Sequence, residues 1–286
     1  MQTRRIGDHD VSAIGLGAMP LSTAGHMPDE AQAVDTIHAA LDAGVTLVDT
    51  ADAYSPDRFA GHNERIVAKA LATWSGDKAA ILVATKGGHT RTPDGGWDVD
   101  GSPEHIRAAC EASLSALGVD AIGLYQHHRP DPDVPYAETI GALRELLDEG
   151  KILMAGISNA DPVQIQTAYD ILGGRLASVQ NQFSPRFRSS EPELELCAAL
   201  GVAFLPWSPL GGISRAGQLG ESDDQSAFAA VAQDRGVSPQ QVALAWELAK
   251  SDVVVPIPGA SRPASIQDSV QAADLELTDD ELARLG

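Results

Sequence analysis

The sequence predicts an α/β fold of the TIM (β/α)8 barrel type, with an N-terminal β-hairpin and extra helices. Along the 286 residues, short apolar runs give way to helix-like stretches eight times, in strict alternation. Each strand–helix unit spans about 30 to 40 residues, which is typical of parallel strands joined by helices. Eight units favour closure into a barrel. No linker or change of composition divides residues 1–286, so we expect one domain.

The first element is predicted to be a hairpin over residues 2–13, because two short alternating runs flank the turn Gly7-Asp8-His9-Asp10. The barrel strands are predicted from the apolar runs that precede the helix-like stretches. They cover residues 13–17, 45–49, 81–85, 121–127, 152–157, 176–181, 202–206 and 253–257.

The helix-like stretches carry clear start and stop signals. Several begin with proline at the first helical position, where its missing N–H costs no hydrogen bond: Pro103, Pro162, Pro239 and Pro263. Several are followed by a glycine suited to a left-handed C-cap: Gly44, Gly118, Gly150 and Gly201. The predicted helices cover residues 29–43, 62–73, 103–117, 136–149, 162–172, 191–200, 225–249 (as two helices) and 263–273.

Two connections are longer than a barrel requires. Residues 86–102 and 206–224 are rich in Gly, Ser and Pro and follow predicted strands. Long connections of this kind are usually binding loops or lids, although disorder is the alternative interpretation.

The net charge of -20 excludes some classes of function. Nucleic-acid binding requires clustered Lys and Arg, whereas this chain has 20 basic and 40 acidic residues. The charge also argues against anionic membrane surfaces, and no run approaches the roughly 18 apolar residues of a membrane helix. The N-terminus lacks a secretory signal, and Cys110 and Cys197 show no CxxC spacing. We therefore expect a soluble, cytoplasmic protein that binds neither nucleic acid nor membranes.

Polar residues suited to chemistry stand where three predicted strands end. Alternate side chains of a strand face the same side, so Asp49, Lys86 and His128 can all point into the barrel mouth. Tyr54 follows Asp49 by five residues, whereas His127 must point away from the barrel axis. Active sites of parallel barrels lie at these C-terminal strand ends. The sequence therefore predicts that a carboxylate, a phenol, an ammonium and an imidazole converge there.

This set of groups indicates a device that donates a proton to a carbonyl. A free phenol has a pKa near 10, and a lysine ammonium beside it is expected to lower that pKa. Asp49 would keep Lys86 charged, and His128 could hold the substrate oxygen by a hydrogen bond. A buried Asp49–Lys86 ion pair that only ties two strands is the alternative, but it leaves Tyr54 and His128 unexplained. No metal is expected, because neighbouring histidines on a strand cannot both bind one ion.

Seven motifs in order, each at a strand end, together with IGLGAMP at 14–20, resemble those of the aldo-keto reductases. The resemblance covers essentially the whole chain. The motifs are DTADAY (49–54), ATKGG (84–88), LYQHHRPD (124–131), GISN (156–159), VQNQFS (179–184), WSPLGG (207–212) and PIPGASRP (256–263).

The resemblance implies a TIM barrel that uses NADP(H), without metal or flavin, to reduce aldehydes or ketones to alcohols reversibly. It implies that Asp49, Tyr54, Lys86 and His128 form the catalytic tetrad, with Tyr54 as the proton donor. His127 occupies a position that the family usually fills with Leu, so the His doublet is a departure. Members are often monomeric, and we expect a monomer or weak oligomer.

The same resemblance implies a set of cofactor contacts. Ser158, Asn159 and Gln180 would hold the nicotinamide carboxamide, and Trp207 would pack against the nicotinamide face. The pyrophosphate would pass Ser208, Leu210 and Gly212, where Gly211 and Gly212 allow close approach of the backbone.

The adenosine end is predicted around the start of the last barrel helix. Arg262 beside the helix N-terminus at Pro263 is suited to a phosphate. The resemblance adds Ser261 to this motif and implies that Asp268 and Ser269 face the adenine. Gly259, Ala260 and Ser265 stand where the family commonly has charged or larger polar residues. Arg262 is then the one obvious cation for the 2′-phosphate, and NAD(H) stays open as an alternative to NADP(H).

Two alternative interpretations of the sequence compete with a carbonyl reductase. Gly15-Leu16-Gly17 suggests a Rossmann dehydrogenase, but Pro20 replaces the third glycine of GxGxxG. A non-catalytic barrel that senses nicotinamide cofactors is the other alternative, against which the intact tetrad argues.

Besides Tyr54, His128 and Trp207, the predicted substrate pocket contains Met19, Trp97 and Phe183, an aromatic-leaning lining. It suits carbonyls with a flat or apolar body, of which pyridoxal-like aldehydes are one example.

Overall fold

The computed structural model describes residues 1–23, 27–56, 60–92, 94–212, 215–219 and 226–286. Its strands alternate with helices, as the sequence predicts for an α/β barrel. They are β1 (Thr3–Ile6), β2 (His9–Ser12), β3 (Leu16–Gly17), β4 (Leu47–Asp49), β5 (Leu82–Gly87), β6 (His89–Arg91), β7 (Trp97–Val99), β8 (Ile122–His127), β9 (Ile152–Ser158), β10 (Leu176–Gln180) and β11 (Ala203–Phe204). One curled parallel sheet has the order β3, β4, β5, β8, β9, β10, β11, while β1–β2 and β6–β7 are antiparallel hairpins.

The eighth barrel position is taken by residues 253–259, which the sequence predicts as a strand over 253–257. On one side, Phe204 N donates to Val253 O at 2.8 Å, and Val255 N donates to Phe204 O at 2.9 Å. On the other side, Gly17 N donates to Pro258 O at 3.0 Å. This segment therefore closes the ring between β11 and β3. It is not a regular strand, because its prolines lack the N–H groups of a full ladder.

Glycines make the closing seam possible. Gly17 pairs with Gly259 in parallel, and a Cβ on Gly17 would lie 2.7 Å from the carbonyl oxygen of Ile257. A Cβ on Gly259 would lie 2.8 Å from the ring of Pro20. Two backbones approach here more closely than any side chain allows. The Gly15-Leu16-Gly17 sequence thus serves barrel closure, which removes the basis of the Rossmann interpretation.

The predicted N-terminal hairpin closes the end of the barrel at which the strands begin. Ile6 and Val11 are buried with the apolar side chains that fill the barrel interior, among them Leu47, Leu124 and Val255. The barrel body is consequently solid, so that a ligand can enter only at the opposite end, where the strands end.

Helices surround the sheet at positions close to the prediction. They are α1 (Glu30–Asp42), α2 (His62–Thr73), α3 (Pro103–Leu117), α4 (Tyr136–Asp148), α5 (Pro162–Ile171), α6 (Glu191–Leu200), α7 (Ser226–Arg235), α8 (Pro239–Lys250), α9 (Pro263–Val270) and α10 (Asp279–Leu285). The split of 225–249 into two helices is confirmed, and Gly236 between them has a φ of 68°. None of the described helices has both the length and the apolar character needed to cross a membrane.

Two elements were not predicted from the sequence. Helix α10 begins with a capping box in which Thr278 and Glu281 satisfy each other's backbone N–H groups, a signal that the sequence does carry. The connection 86–102 contains the hairpin β6–β7 in place of a loop without regular structure. Of the other long connection, 206–224, residues 213–214 and 220–224 lie outside the described residues.

Candidate active site

The strand ends bring the predicted polar residues to one side of the barrel. Asp49 ends β4, Lys86 lies near the end of β5, and His128 directly follows β8. The parallel register sets Lys86 opposite Gln126 of β8. The Lys86 side chain is fully buried and Asp49 is 3% exposed, so both point inward.

Lys86 is the centre of this arrangement. Its Nζ donates to Asp49 Oδ2 at 2.7 Å, to the backbone oxygen of Thr50 at 2.8 Å and to the Tyr54 hydroxyl oxygen at 3.3 Å. The three donors of the ammonium are therefore all used by the protein. Because the Tyr54 oxygen accepts from Lys86, its own proton can be directed to another acceptor.

Two side-chain amides hold the Asp49 carboxylate in addition to its ion pair with Lys86. Its Oδ1 accepts from Gln180 Nε2 at 2.8 Å and from Gln126 Nε2 at 3.3 Å. Gln180 was predicted only as a cofactor residue, and Gln126 was assigned no role, although it shares a strand face with His128. These amides orient the carboxylate, which in turn orients the ammonium.

The ionisation states follow from burial and charge. Burial alone would lower the pKa of the Lys86 ammonium, but the attraction of Asp49 and Tyr54 outweighs it and the pKa is raised. Burial raises the pKa of the Tyr54 phenol above its ordinary value of 10.0, against the lowering effect of Lys86. The predicted lowering effect of Lys86 on the pKa of Tyr54 is present, but desolvation exceeds it, so the pKa is raised. Tyr54 keeps its proton at neutral pH.

His128 lies beside the phenol as a neutral ring. Its centroid is 5.5 Å from that of Tyr54, with the planes at 82°. Burial, and after it the positive charge of Lys86, hold the pKa of His128 well below its ordinary value. Its Nδ1 has no hydrogen-bond partner among the described residues. A neutral imidazole keeps one N–H donor and one acceptor nitrogen.

A cavity of about 900 Å³ opens directly above these groups. Asp49, Tyr54 and His128 form part of its wall, and Lys86 lies buried beneath. Every residue predicted to bind the cofactor lines the same cavity, as do Met19 and Trp97. The volume is in the upper part of the range of small-molecule and cofactor sites, about 300–1,000 Å³.

The family model of the aldo/keto reductase family matches residues 13–286. This chain belongs to that family. It is 33% identical over 301 residues to a probable aldo-keto reductase of Glycine max, covering 96% of this chain and 85% of the relative. It is 32% identical over 288 residues to an uncharacterized oxidoreductase of Schizosaccharomyces pombe, covering 99% and 88%.

Solved structures agree with this assignment. An aldo-keto reductase from Klebsiella pneumoniae, in complex with NADPH, superposes with a TM-score of 0.82 at 27% identity, covering 100% of this chain and 94% of that one. The predicted family, fold class and oxidoreductase class are thereby confirmed.

The aldo/keto reductase site contains two strained residues. In the described backbone, the residues other than glycine with positive φ are Asn159, at 57°, and Ser208, at 52°. Both line the cavity. Asn159 Nδ2 donates to the backbone oxygen of His128 at 3.0 Å, which ties the end of β9 to the residue that follows β8. Strain of this kind persists where surrounding contacts enforce it, and it concentrates at ligand sites.

The far end of the cavity is formed by the loop before α9 and the first turn of that helix. Arg262 precedes the first helical residue, Pro263, and its side chain is exposed. Gln32 of α1 donates to the backbone oxygen of Ser261 at 2.8 Å and fixes the loop. Asp268 is already engaged, since both of its oxygens accept from residues of the α8 N-terminus. Asp268, which is predicted to face the adenine, therefore also holds the N-terminus of α8 in place.

Phe183 does not lie in the substrate pocket, so this expectation is wrong. Its side chain is fully buried and stacks on Trp246 of α8, with centroids 5.5 Å apart and planes at 6°. The ring also contacts Phe204 edge-on at 6.1 Å. The chain beyond β10 thus turns this aromatic ring into the helix layer, and apolar composition alone could not predict which way it faces.

Two titratable residues of the cavity wall, His89 and Arg129, were not predicted as site residues. His89 lies on the unpredicted hairpin, where its ring stacks on that of Trp97 at 4.5 Å. Arg129, which the sequence places just after His128, also lines the cavity. The long 86–102 connection was the signal for His89, since such connections often carry binding residues.

His127 lies away from the cavity, among the helices. It is fully buried, its ring is 5.8 Å from that of Tyr136, and burial lowers its pKa to about 4. Within the described residues, no group of three or more His, Cys, Asp or Glu side chains could hold a metal ion.

Proposed function

We propose that this protein reduces aldehydes or ketones to alcohols with NADPH, and that Tyr54 donates the proton. The observation that carries the proposal is the fully buried Lys86 ammonium, which bridges Asp49 and the Tyr54 hydroxyl beneath the cavity. A buried charge is costly unless it is paired and hydrogen-bonded, and here the pairing directs the ammonium to the Tyr54 hydroxyl.

The residues of the cavity fit a nicotinamide dinucleotide. The cavity extends from Tyr54 to Arg262, so one elongated ligand can reach both ends. Ser158 and Asn159 would hold the carboxamide, while the amide nitrogen of Gln180 is committed to Asp49, which leaves its oxygen as acceptor. Gly212 has a φ of 104° and open space around its Cα, which suits close approach of a pyrophosphate. When bound, NADPH supplies the hydride to the carbonyl carbon.

The proton comes from the protein. The Tyr54 hydroxyl donates it to the carbonyl oxygen as negative charge develops there. Lys86, already within hydrogen-bond distance, stabilises the phenolate that forms. Asp49 compensates the ammonium throughout, and its amide partners prevent it from rotating away.

His128 orients the carbonyl. Because the imidazole is neutral, its N–H can donate to the carbonyl oxygen without competing with Tyr54 as an acid. The edge-on contact of the two rings directs both donors to one region of the cavity. Preorganised donors of this kind are a main source of rate enhancement in polar reactions.

The preference for NADPH over NADH rests on Arg262 and the N-terminus of α9. A 2′-phosphate there would meet a guanidinium and the positive end of a helix dipole. The protein as a whole carries a charge of -20, so a polyanion must be held by local groups such as these.

The test is carbonyl-dependent oxidation of NADPH and of NADH, followed by absorbance, across a panel of aldehydes and ketones. We expect turnover with NADPH at a higher kcat/KM than with NADH. Cofactor binding by fluorescence without turnover of any carbonyl would instead support a cofactor-sensing barrel. Identification of the alcohol product completes the assignment.

A further inference from the structure

The outer part of the cavity, formed by His89, Trp97 and Arg129, has no part in the proton transfer or cofactor binding described above. All three residues line the cavity. The His89 ring contacts the His128 ring edge-on at 4.8 Å, so this outer pocket borders the position of the reacting carbonyl. A substrate whose carbonyl lies beside Tyr54 and His128 would therefore extend into this outer pocket.

The outer pocket presents a flat aromatic wall. The rings of His89 and Trp97 stack at 4.5 Å with planes at 22°, and Trp97 is 46% exposed. The β6–β7 register sets Arg91 opposite Trp97, and its guanidinium lies 4.1 Å from the indole ring. The indole is thus held in place and offers an apolar surface to a planar ring.

The charge of the outer pocket is unusual for this protein. The chain has 40 acidic and 20 basic residues, yet neither Arg91 nor Arg129 has an ion-pair partner among the described residues. Asp131, the nearest acid along the chain, is occupied: its oxygens accept from the backbone N–H groups of Gly101 and Asp133, both at 2.8 Å. Arg129 is exposed and lines the cavity, without an ion-pair partner among the described residues.

The positive charges of Arg129 and Arg91 act on His89, which lines the cavity. Burial lowers the pKa of His89 to about 4, and the charges of Arg129 and Arg91 add to this effect. His89 is therefore neutral at neutral pH, and the arginines supply the positive field. An arginine that lacks a partner in a strongly acidic protein is well suited to bind an anion from solution.

We propose that the outer pocket binds a carboxylate of the substrate, so that the preferred substrates are aromatic aldehydes or ketones that carry a carboxylate. The ring packs on Trp97 and His89, and the carboxylate pairs with Arg129. This inference rests on the proposed carbonyl reduction and adds a substrate class to it.

The test compares 3- and 4-carboxybenzaldehyde with their methyl esters, using NADPH and steady-state kinetics. The ratio of kcat/KM for acid and ester is the readout. For Arg129→Gln we expect the ratio for the better isomer to fall about tenfold, the low end for a charge-assisted contact at an exposed site. The decrease should appear in KM and should diminish at high salt. Arg129→Lys should restore part of the wild-type ratio.

Arg284→Gln is the matched control, because Arg284 pairs with Asp234 on the helices away from the cavity. The ratio of kcat/KM for acid and ester in Arg284→Gln should equal that of the wild type. Equal loss for acid and ester in Arg129→Gln would overturn the inference, since the residue would then support the loop. Failure to reduce any carbonyl, ester included, would instead contradict the proposed function. Reduction of both with an unchanged ratio would contradict the carboxylate pocket alone.

Discussion

At the barrel end of the cavity the Lys86 ammonium has protein partners at 2.7, 2.8 and 3.3 Å. At the far end the Arg262 guanidinium is exposed and has no ion-pair partner among the described residues. The first charge is paired before any ligand arrives, whereas the second must obtain its partner from the ligand.

The difference matches the roles that we propose for the two ends. Proton donation requires groups held within tenths of an ångström, and here Asp49 and Lys86 lie on strands while the amides of Gln126 and Gln180 hold Asp49. Holding a phosphate requires only charge and N–H donors, which a loop and a helix N-terminus supply. We therefore expect substitutions at the barrel end to affect turnover, and substitutions at the far end to affect cofactor affinity.

The largest effect is expected for Tyr54→Phe. Removal of the hydroxyl eliminates the proton donor, and general acid catalysis contributes about 10²–10⁴-fold, so kcat should fall by at least that factor. NADPH affinity, measured by fluorescence quenching, should change little. A variant that retains more than about a tenth of the wild-type rate with 4-nitrobenzaldehyde would show that Tyr54 is not the acid.

The next largest effect should separate the two neighbouring histidines. His128→Asn should reduce kcat/KM by about 10²-fold or more, because its ring contacts Tyr54 in the cavity. His127→Asn should affect thermal stability more than turnover, because that ring is buried against Tyr136. Steady-state kinetics and melting curves for both variants make the comparison. Greater loss of turnover in His127→Asn would contradict the orientation of the strand end described above.

A smaller effect is expected for Arg262→Ala. Loss of one charge-assisted contact at an exposed position should weaken NADPH binding about tenfold and leave NADH binding nearly unchanged. Dissociation constants for both cofactors at fixed salt are the measurement, and Arg284→Ala serves as the control. If both cofactors weaken equally, Arg262 supports the loop and the preference for NADP has another origin.

The smallest effect is expected from pH. Tyr54 must be protonated to act, and burial raises its pKa above 10.0, so the reductive kcat should decline only as the pH rises above that value. His128 must stay neutral, and its pKa lies well below 6.5, so protonation should not reduce kcat until the pH is well below that value. A flat profile of kcat between these limits is the expected result. A decrease between pH 7 and 9 would show that the effect of Lys86 on Tyr54 exceeds that of burial.

Much of the site could be predicted because strands have a period of two residues. Asp49 and Lys86 end apolar runs, and their parity along the strands predicts that they converge at one barrel mouth. Motif similarity then extended the prediction to residues 158–269, and every cofactor residue predicted in this way lines the cavity. What motifs cannot supply is the ionisation state of each group: the lowering effect of Lys86 on the pKa of Tyr54 was predicted, but the larger desolvation that raises this pKa is not visible in the sequence.

Sequence alone determined most of the elements, though not α10 or the β6–β7 hairpin, because periodicity, helix caps and strand ends are properties of neighbouring residues. Only the tertiary structure decided which distant residues meet. It packed Phe183 on Trp246 in the helix layer, and it assigned the Gly15-Leu16-Gly17 sequence to the barrel seam. It also brought Arg129 to the cavity wall beside His89, from a different strand end. Such contacts depend on the closure of the whole ring, which brings together strand ends far apart in the chain, and no local pattern encodes them.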